Sequence, residues 1–115
     1  MQHSELVRAL VKSPVQLHGE ITSEDCNLIH MTMGISGEAG ELLDAIKKGV
    51  IYRKPLDREN IIEELGDIEF YLEGLRQQLH ISREETLLAN INKLSKRYEK
   101  LSYSNDAAQT RADKQ

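Results

Sequence analysis

Apolar residues recur at intervals of three and four along most of this chain, which predicts helices. A short amphipathic segment comes first, over residues 1–12, with Leu6, Val7, Leu10 and Val11 at helical spacing. Ser13-Pro14 ends it, and residues 13–22, with Gly19 and no clear period, read as a linker in which His18 is a surface residue. The first long helix starts after Thr22, which with Asp25 resembles a capping box, and ends near Lys48 with Gly49 as its stop. Its apolar stripe is Leu28, Met31, Ile35, Ala39, Leu42, Ile46. The second starts after Asp57, just past Pro55, and runs to about Leu79 on the stripe Ile61, Leu65, Ile68, Leu72, Leu75, Leu79. A third opens on the capping box Ser82-Arg83-Glu84-Glu85 and carries Leu87, Ile91, Leu94, Tyr98, Leu101. The expected fold is all-α, a four-helix bundle occupying residues 1–101. Residues 102–115 form a polar tail with no stripe, whose composition predicts disorder, apart from a brief helix capped by Ser104 or Asn105 through Ala108 and Arg111.

Composition makes that bundle look incomplete as a monomer. The 115 residues suffice for one domain, but only 39% are hydrophobic and 4% aromatic, so the core is thin. Ile29, Met33, Leu43, Ile62, Phe70 and Leu88 lie off the stripes, where a lone bundle leaves them wet, so a homo-oligomer is expected. The net charge of −4, with both signs interspersed, argues against non-specific nucleic-acid binding. An anionic substrate therefore needs local cations or a metal. The single Cys26 excludes an internal disulfide and fits a reducing cytoplasm. Apolar runs are too short for a signal peptide or a membrane span, so a cytoplasmic location and no membrane partner are expected.

The candidate chemistry lies in two acidic motifs. Gly37-Glu38-Ala39-Gly40-Glu41-Leu42 is on the first long helix, and Glu63-Glu64-Leu65-Gly66-Asp67 is on the second. Glu38 with Glu41, and Glu64 with Asp67, stand three apart, which puts each pair on one helix face. With each stripe at the centre of its wheel, Glu38 and Glu64 fall about 60° off centre and Glu41 and Asp67 about 120° off, in the same sense. In an antiparallel hairpin, equal offsets share one flank of the seam. Each pair is centred about eight residues from the connecting loop, so the axial mismatch is on the order of 1–2 Å. The pattern therefore predicts one four-carboxylate cluster beside the seam. Four such charges repel unless a cation sits among them, and hard divalent ions, Mg²⁺ above all, take oxygen ligands. Any one of the four alone is an ordinary solvated helix position. As a quartet they are accompanied by Gly34, Gly37, Gly40, Ala45 and Gly66, and each mid-helix glycine costs about 1 kcal/mol against alanine. Such a run suggests close approach to the backbone. A di-iron carboxylate bundle is disfavoured, because neither motif ends in His.

Glu-x-x-Glu, a gap and then Glu-x-x-Asp resembles the signature of the MazG-like all-α nucleotide pyrophosphohydrolases. The surrounding wording is similar too: Gly37 through Asp44, Lys54-Pro55-Leu56-Asp57, Glu63 through Asp67 with Tyr71, and Asn90-Ile91-Asn92-Lys93-Leu94-Ser95-Lys96-Arg97-Tyr98. It covers roughly residues 24 to 98. The resemblance implies Mg²⁺-dependent hydrolysis of a nucleoside triphosphate to monophosphate and pyrophosphate, with Mn²⁺ as the alternative metal, by a dimer or tetramer. Glu38, Glu41, Glu64 and Asp67 then hold two or three ions, and Tyr71 touches sugar or base. Some relatives carry a further Glu, able to act as base, where this chain has Gly37, so a metal-activated water held by Glu38 or Glu41 is the expected nucleophile.

Asn90, Lys93 and Arg97 fall on the equivalent flank of the third helix and suit phosphates, although a solvated basic face has the same pattern. Lys47, Lys48, Arg53 and Lys54 cluster at the end of the first long helix, where the dipole favours cations. Lys48 alone of these reaches the carboxylate flank, with a phosphate as its candidate partner. His30, on the same flank, reads as a polar surface residue or as a base contact. Family members often follow the Tyr98 position with a Pro/Gly turn; Glu99-Lys100-Leu101 here predicts a longer helix. Two rivals share the pattern: a phosphoribosyl-ATP pyrophosphohydrolase, and a non-catalytic helical oligomer serving as a protein-binding module.

Overall fold

The computed structural model describes residues 1–100 together with Asn105 and Gln109. Five helices account for nearly all of residues 1–100: α1 (His3–Leu10), α2 (Pro14–Glu20), α3 (Ser23–Ile51), α4 (Arg58–Leu79) and α5 (Arg83–Arg97). Reciprocal capping boxes start α3, through Thr22 and Asp25, and α5, through Ser82 and Glu85; Asp57 caps α4 by accepting from the Asn60 N–H.

The expected linker over residues 13–22 is helical instead. The Ser13 hydroxyl accepts from the Gln16 N–H at 3.3 Å, and Pro14 is the first helical residue. The Ser-Pro pair that ends one helix thus also starts the next, because Pro at the first position gives up a donor the helix could not use. Nor does α3 stop at Gly49. It runs to Ile51, Arg53 takes the left-handed position (φ 55°), and the Lys54 N–H closes back on the Gly49 carbonyl at 3.0 Å. Gly49 is buried because Leu56 folds back on it, and a Cβ there would collide with the Leu56 side chain. α5 ends at Arg97 with Tyr98 as its cap, short of the predicted Leu101. The expected helix from Ser104 or Asn105 to Arg111 lies outside the described residues, save for Asn105 and Gln109.

Among the described residues, extensive helix–helix packing is confined to α3 and α4, an antiparallel hairpin. Its seam runs along a line of small and polar positions. A Cβ at Gly34 would collide with the Tyr71 ring, one at Gly74 with the Met31 sulphur, and Asn27 Nδ2 donates to Gln78 Oε1 at 2.7 Å. Met31 and Ala45 are the buried apolar residues of the described chain. The expected seam along the apolar stripes is therefore displaced. Both stripes are rotated from the observed contact line by about 60 to 90° in one sense. Leu28, Ile35, Leu42 and Ile46 of α3 and Ile61, Ile68, Leu72 and Leu75 of α4 consequently share one flank, all half-buried. Small residues let the two backbones close on the polar line, while the stripes form a common apolar face.

α1, α2 and α5 do not cover that face to a comparable extent. Leu87, Leu88, Ile91 and Leu94 of α5 are exposed, as are Leu6, Val7 and Leu10 of α1. The radius of gyration is 19.9 Å, against about 13 Å for a compact chain of this length. The described residues are all-helical, as expected, and their extensive packing is that of the α3–α4 hairpin. No described helix is long and apolar enough to cross a membrane.

Candidate metal centre

Glu38 on α3 projects into the seam opposite Glu64 and Asp67 on α4. One carboxylate oxygen from each of the three lies within 4.8 Å of the others. Glu38 and Glu64 are half-buried and Asp67 is exposed. Glu64 Oε2 is fully buried, and no donor reaches it. The Glu64 carboxyl is pushed up to about 7, first by hydrogen bonding to the Glu38 carboxyl, then by loss of solvent, then by the charges of Glu38, Asp67 and Glu41. No lysine or arginine among the described residues forms an ion pair with any of these four carboxylates.

Burying a carboxylate oxygen without a donor is costly, and crowding acids around it adds repulsion. A hard cation removes both costs at once. Oxygen ligands around Mg²⁺ stand about 3 to 4 Å apart, given metal–oxygen distances of 2.0–2.1 Å, so the trio needs only small side-chain adjustments to hold one ion. Every donor is a carboxylate oxygen, which suits Mg²⁺ or Mn²⁺ and not a thiolate- or imidazole-seeking metal. The residues present fit a divalent cation.

Other predicted residues are placed less simply. Glu41 stands one turn from Glu38 on the exposed side, outside the trio but near enough for its charge to raise the pKa of both Glu64 and Lys48. It was expected in a single four-carboxylate cluster; the seam turns Glu38 inward and leaves Glu41 on the flank, so the carboxylates within 4.8 Å of one another are Glu38, Glu64 and Asp67. Lys48 does not point to that cluster; its Nζ pairs with Asp44 at 3.0 Å. Tyr71 is half-buried, its ring laid on Gly34, with the His30 ring edge-on at 6.2 Å and the Phe70 ring at 5.1 Å. Asn90 and Lys93 are exposed on α5 and are not brought to the carboxylates within the chain, and Arg97 is half-buried at the end of that helix. Of the glycines suggesting close approach, Gly34 receives the Tyr71 ring, whereas Gly37, Gly40 and Gly66 face open space. Sequence reasoning missed Asn27 and Gln78; the signal was available, since both fall on the seam line of their helices rather than on the stripes.

Fold and site together define a helical-hairpin protein with an acidic centre whose residues fit a divalent cation. The MazG nucleotide pyrophosphohydrolase domain model matches residues 27–102, which span most of α3 and all of α4 and α5, and the chain belongs to that family. Members of this family typically use a divalent metal. The chain is also similar to the Gene 37 protein of Mycobacterium phage L5, with 36% identity over 83 residues, covering 64% of this chain and 71% of that protein. No solved structure matches.

Proposed function

We propose that the protein is a Mg²⁺-dependent pyrophosphohydrolase that cleaves a nucleoside triphosphate between its α- and β-phosphates, giving nucleoside monophosphate and pyrophosphate. The observation that carries this reading is the buried, donorless Glu64 oxygen inside a three-carboxylate cluster, in a member of this family. Glu38, Glu64 and Asp67 would hold the ion, with Glu41 beside them to take a second. Bound there, Mg²⁺ neutralises charge on the phosphate oxygens and makes water more acidic. Glu38 and Glu41 orient the attacking water and accept its proton. Tyr71, fixed by Gly34, sits one turn from Asp67 and positions the sugar.

The phosphate-binding groups would come from α5 of a second subunit. Asn90 and Lys93 are exposed on α5, which does not pack extensively on its own hairpin, and this supports a role for them in a neighbouring chain's site. The common apolar face of α3 and α4 is the surface to be covered in such a homo-oligomer.

The test is incubation with a panel of NTPs and dNTPs and Mg²⁺, separating pyrophosphate from orthophosphate. Pyrophosphate as first product from at least one nucleotide is expected. Orthophosphate first would mean cleavage at the γ-phosphate and would sink the assignment. No turnover by folded protein would favour a non-catalytic oligomer, and turnover of phosphoribosyl-ATP alone the narrower enzyme.

A further inference from the structure

α3 carries a second row of positions that its own chain leaves uncovered. Ile29, Met33, Ser36, Gly40, Leu43, Lys47 and Val50 follow one another at alternating intervals of four and three. At 100° per residue they share an arc of about 100°. That arc lies opposite the seam line of Met31, Gly34 and Ala45, and about 100° from the stripe of Leu28, Ile35, Leu42 and Ile46. Neither the hairpin seam nor the common apolar face therefore accounts for it. All seven residues are exposed, Met33 at 67% and Val50 at 57%.

A four-three alternation held from Ile29 to Val50 is the period of a helix that packs along another helix at a shallow angle. The row is also graded in size. Aliphatic side chains stand toward both ends, and Ser36 and Gly40 leave the middle small. A Cβ at Gly40 would meet nothing within 4 Å. Glycine in mid-helix is destabilising, and nothing packed on Gly40 within the described chain offsets that. A second helix laid across residue 40 would, because it can approach closely there. Charge selects the direction of that helix. Glu24 and Asp25 lie in the first turn of α3, whereas Lys47, Arg53 and Lys54 lie at or just past its other end and form no ion pair among the described residues. An antiparallel copy of α3 brings each acidic start against a basic end and opposes the two helix dipoles. A parallel copy stacks like charges. A twofold contact needs a surface complementary to itself, and this row meets that condition when reversed.

We propose that the outward face of α3 is a contact between two copies of this chain, packed antiparallel with their closest approach at Gly40. The contact is separate from the apolar face of the hairpin and independent of the pyrophosphohydrolase reading. It is tested by cross-linking full-length protein with a short bismaleimide, in a Cys26→Ser background that removes the one exposed native thiol. In the antiparallel pair the two Ile29 positions lie about 30 Å apart along the axis, whereas Ile29 of one copy and Val50 of the other lie nearly level. Ile29→Cys co-expressed with Val50→Cys should therefore give covalent dimers, and either variant alone should not. Dimers from either variant alone would overturn the antiparallel packing, and no dimer from the pair would overturn the contact. Light scattering of Gly40→Leu gives a second reading, because the chain itself leaves space at that position. The mass should fall below that of the wild type, and an unchanged mass would overturn the close approach at residue 40. Neither readout requires turnover, so a failure of this contact and a failure of the proposed reaction are told apart.

Discussion

Glu64 is where proton, cation and fold compete for one group. Its carboxyl is raised from 4.5 to about 7 by the Glu38 carboxyl, by burial and by neighbouring charge. Between those values the folded state binds more protons than the unfolded one, so this group's stabilising contribution is fully present below pH 4.5 and is lost as pH rises through 7. Metal-free protein should therefore melt at a higher temperature near pH 5.5 than near pH 8, as far as this site governs. Mg²⁺ needs the ionised form, so the Mg²⁺-induced rise in melting temperature should grow from pH 6 to pH 8. Thermal melts with and without Mg²⁺ check this, and a Glu64→Gln protein should lose both trends. The i, i+3 spacing made the acidic residues legible, and three of the four meet. The inward turn of Glu38 over Glu41 was not legible, because it depends on which line of each helix forms the seam.

Helix starts were easier to read than helix ends. Thr22, Asp57 and Ser82 each cap through a side chain, a local bond that the sequence states outright. Ends depend on what folds back. Gly49 reads as a stop, yet it is a packing site for Leu56, and the left-handed position falls on Arg53. α4 ends the same way: His80 sits at φ 56°, its N–H bonds the Gln77 carbonyl, and the Ile81 N–H bonds the Arg76 carbonyl at 2.9 Å. Glycine adopts that conformation without the Cβ penalty of about 1 kcal/mol or more. His80→Gly should therefore stabilise the protein by about 1 kcal/mol in urea denaturation, with the slope unchanged. The seam itself was hidden for a related reason. Hydrophobic periodicity finds the face that must be buried, but not the partner that buries it. Here Gly34, Gly74 and Ala45 let the helices meet on a different line.

At the scale of the molecule, one chain leaves a broad apolar face open and α5 detached from the acidic centre. Ile29, Met33, Leu43, Ile62, Phe70 and Leu88 are all exposed, as their off-stripe positions suggested. Among them Leu43 is 68% exposed. In an isolated chain Leu43→Lys touches an open surface and should change stability by less than about 0.5 kcal/mol. In an oligomer it places an unpaired charge in an interface, and assembly should weaken. Light scattering at micromolar concentration should show the wild type above 13.1 kDa and the variant shifted toward it. A wild-type monomer would contradict the oligomer. In the proposed oligomer, which copy's α5 would serve which site is a property of the assembly, and a single sequence does not state it.

The central claim, that this acidic centre performs α–β cleavage, is tested most directly by pyrophosphate release from Asp67→Asn beside the wild type, at saturating Mg²⁺. Asp67 is exposed and pairs with no cation among the described residues, so removing its charge relieves repulsion and should leave the metal-free fold as stable or more so. An amide is a neutral, weaker ligand for Mg²⁺, so turnover should collapse in a protein that still melts normally. Wild-type pyrophosphate release by the variant would remove Asp67 from the site and contradict the account.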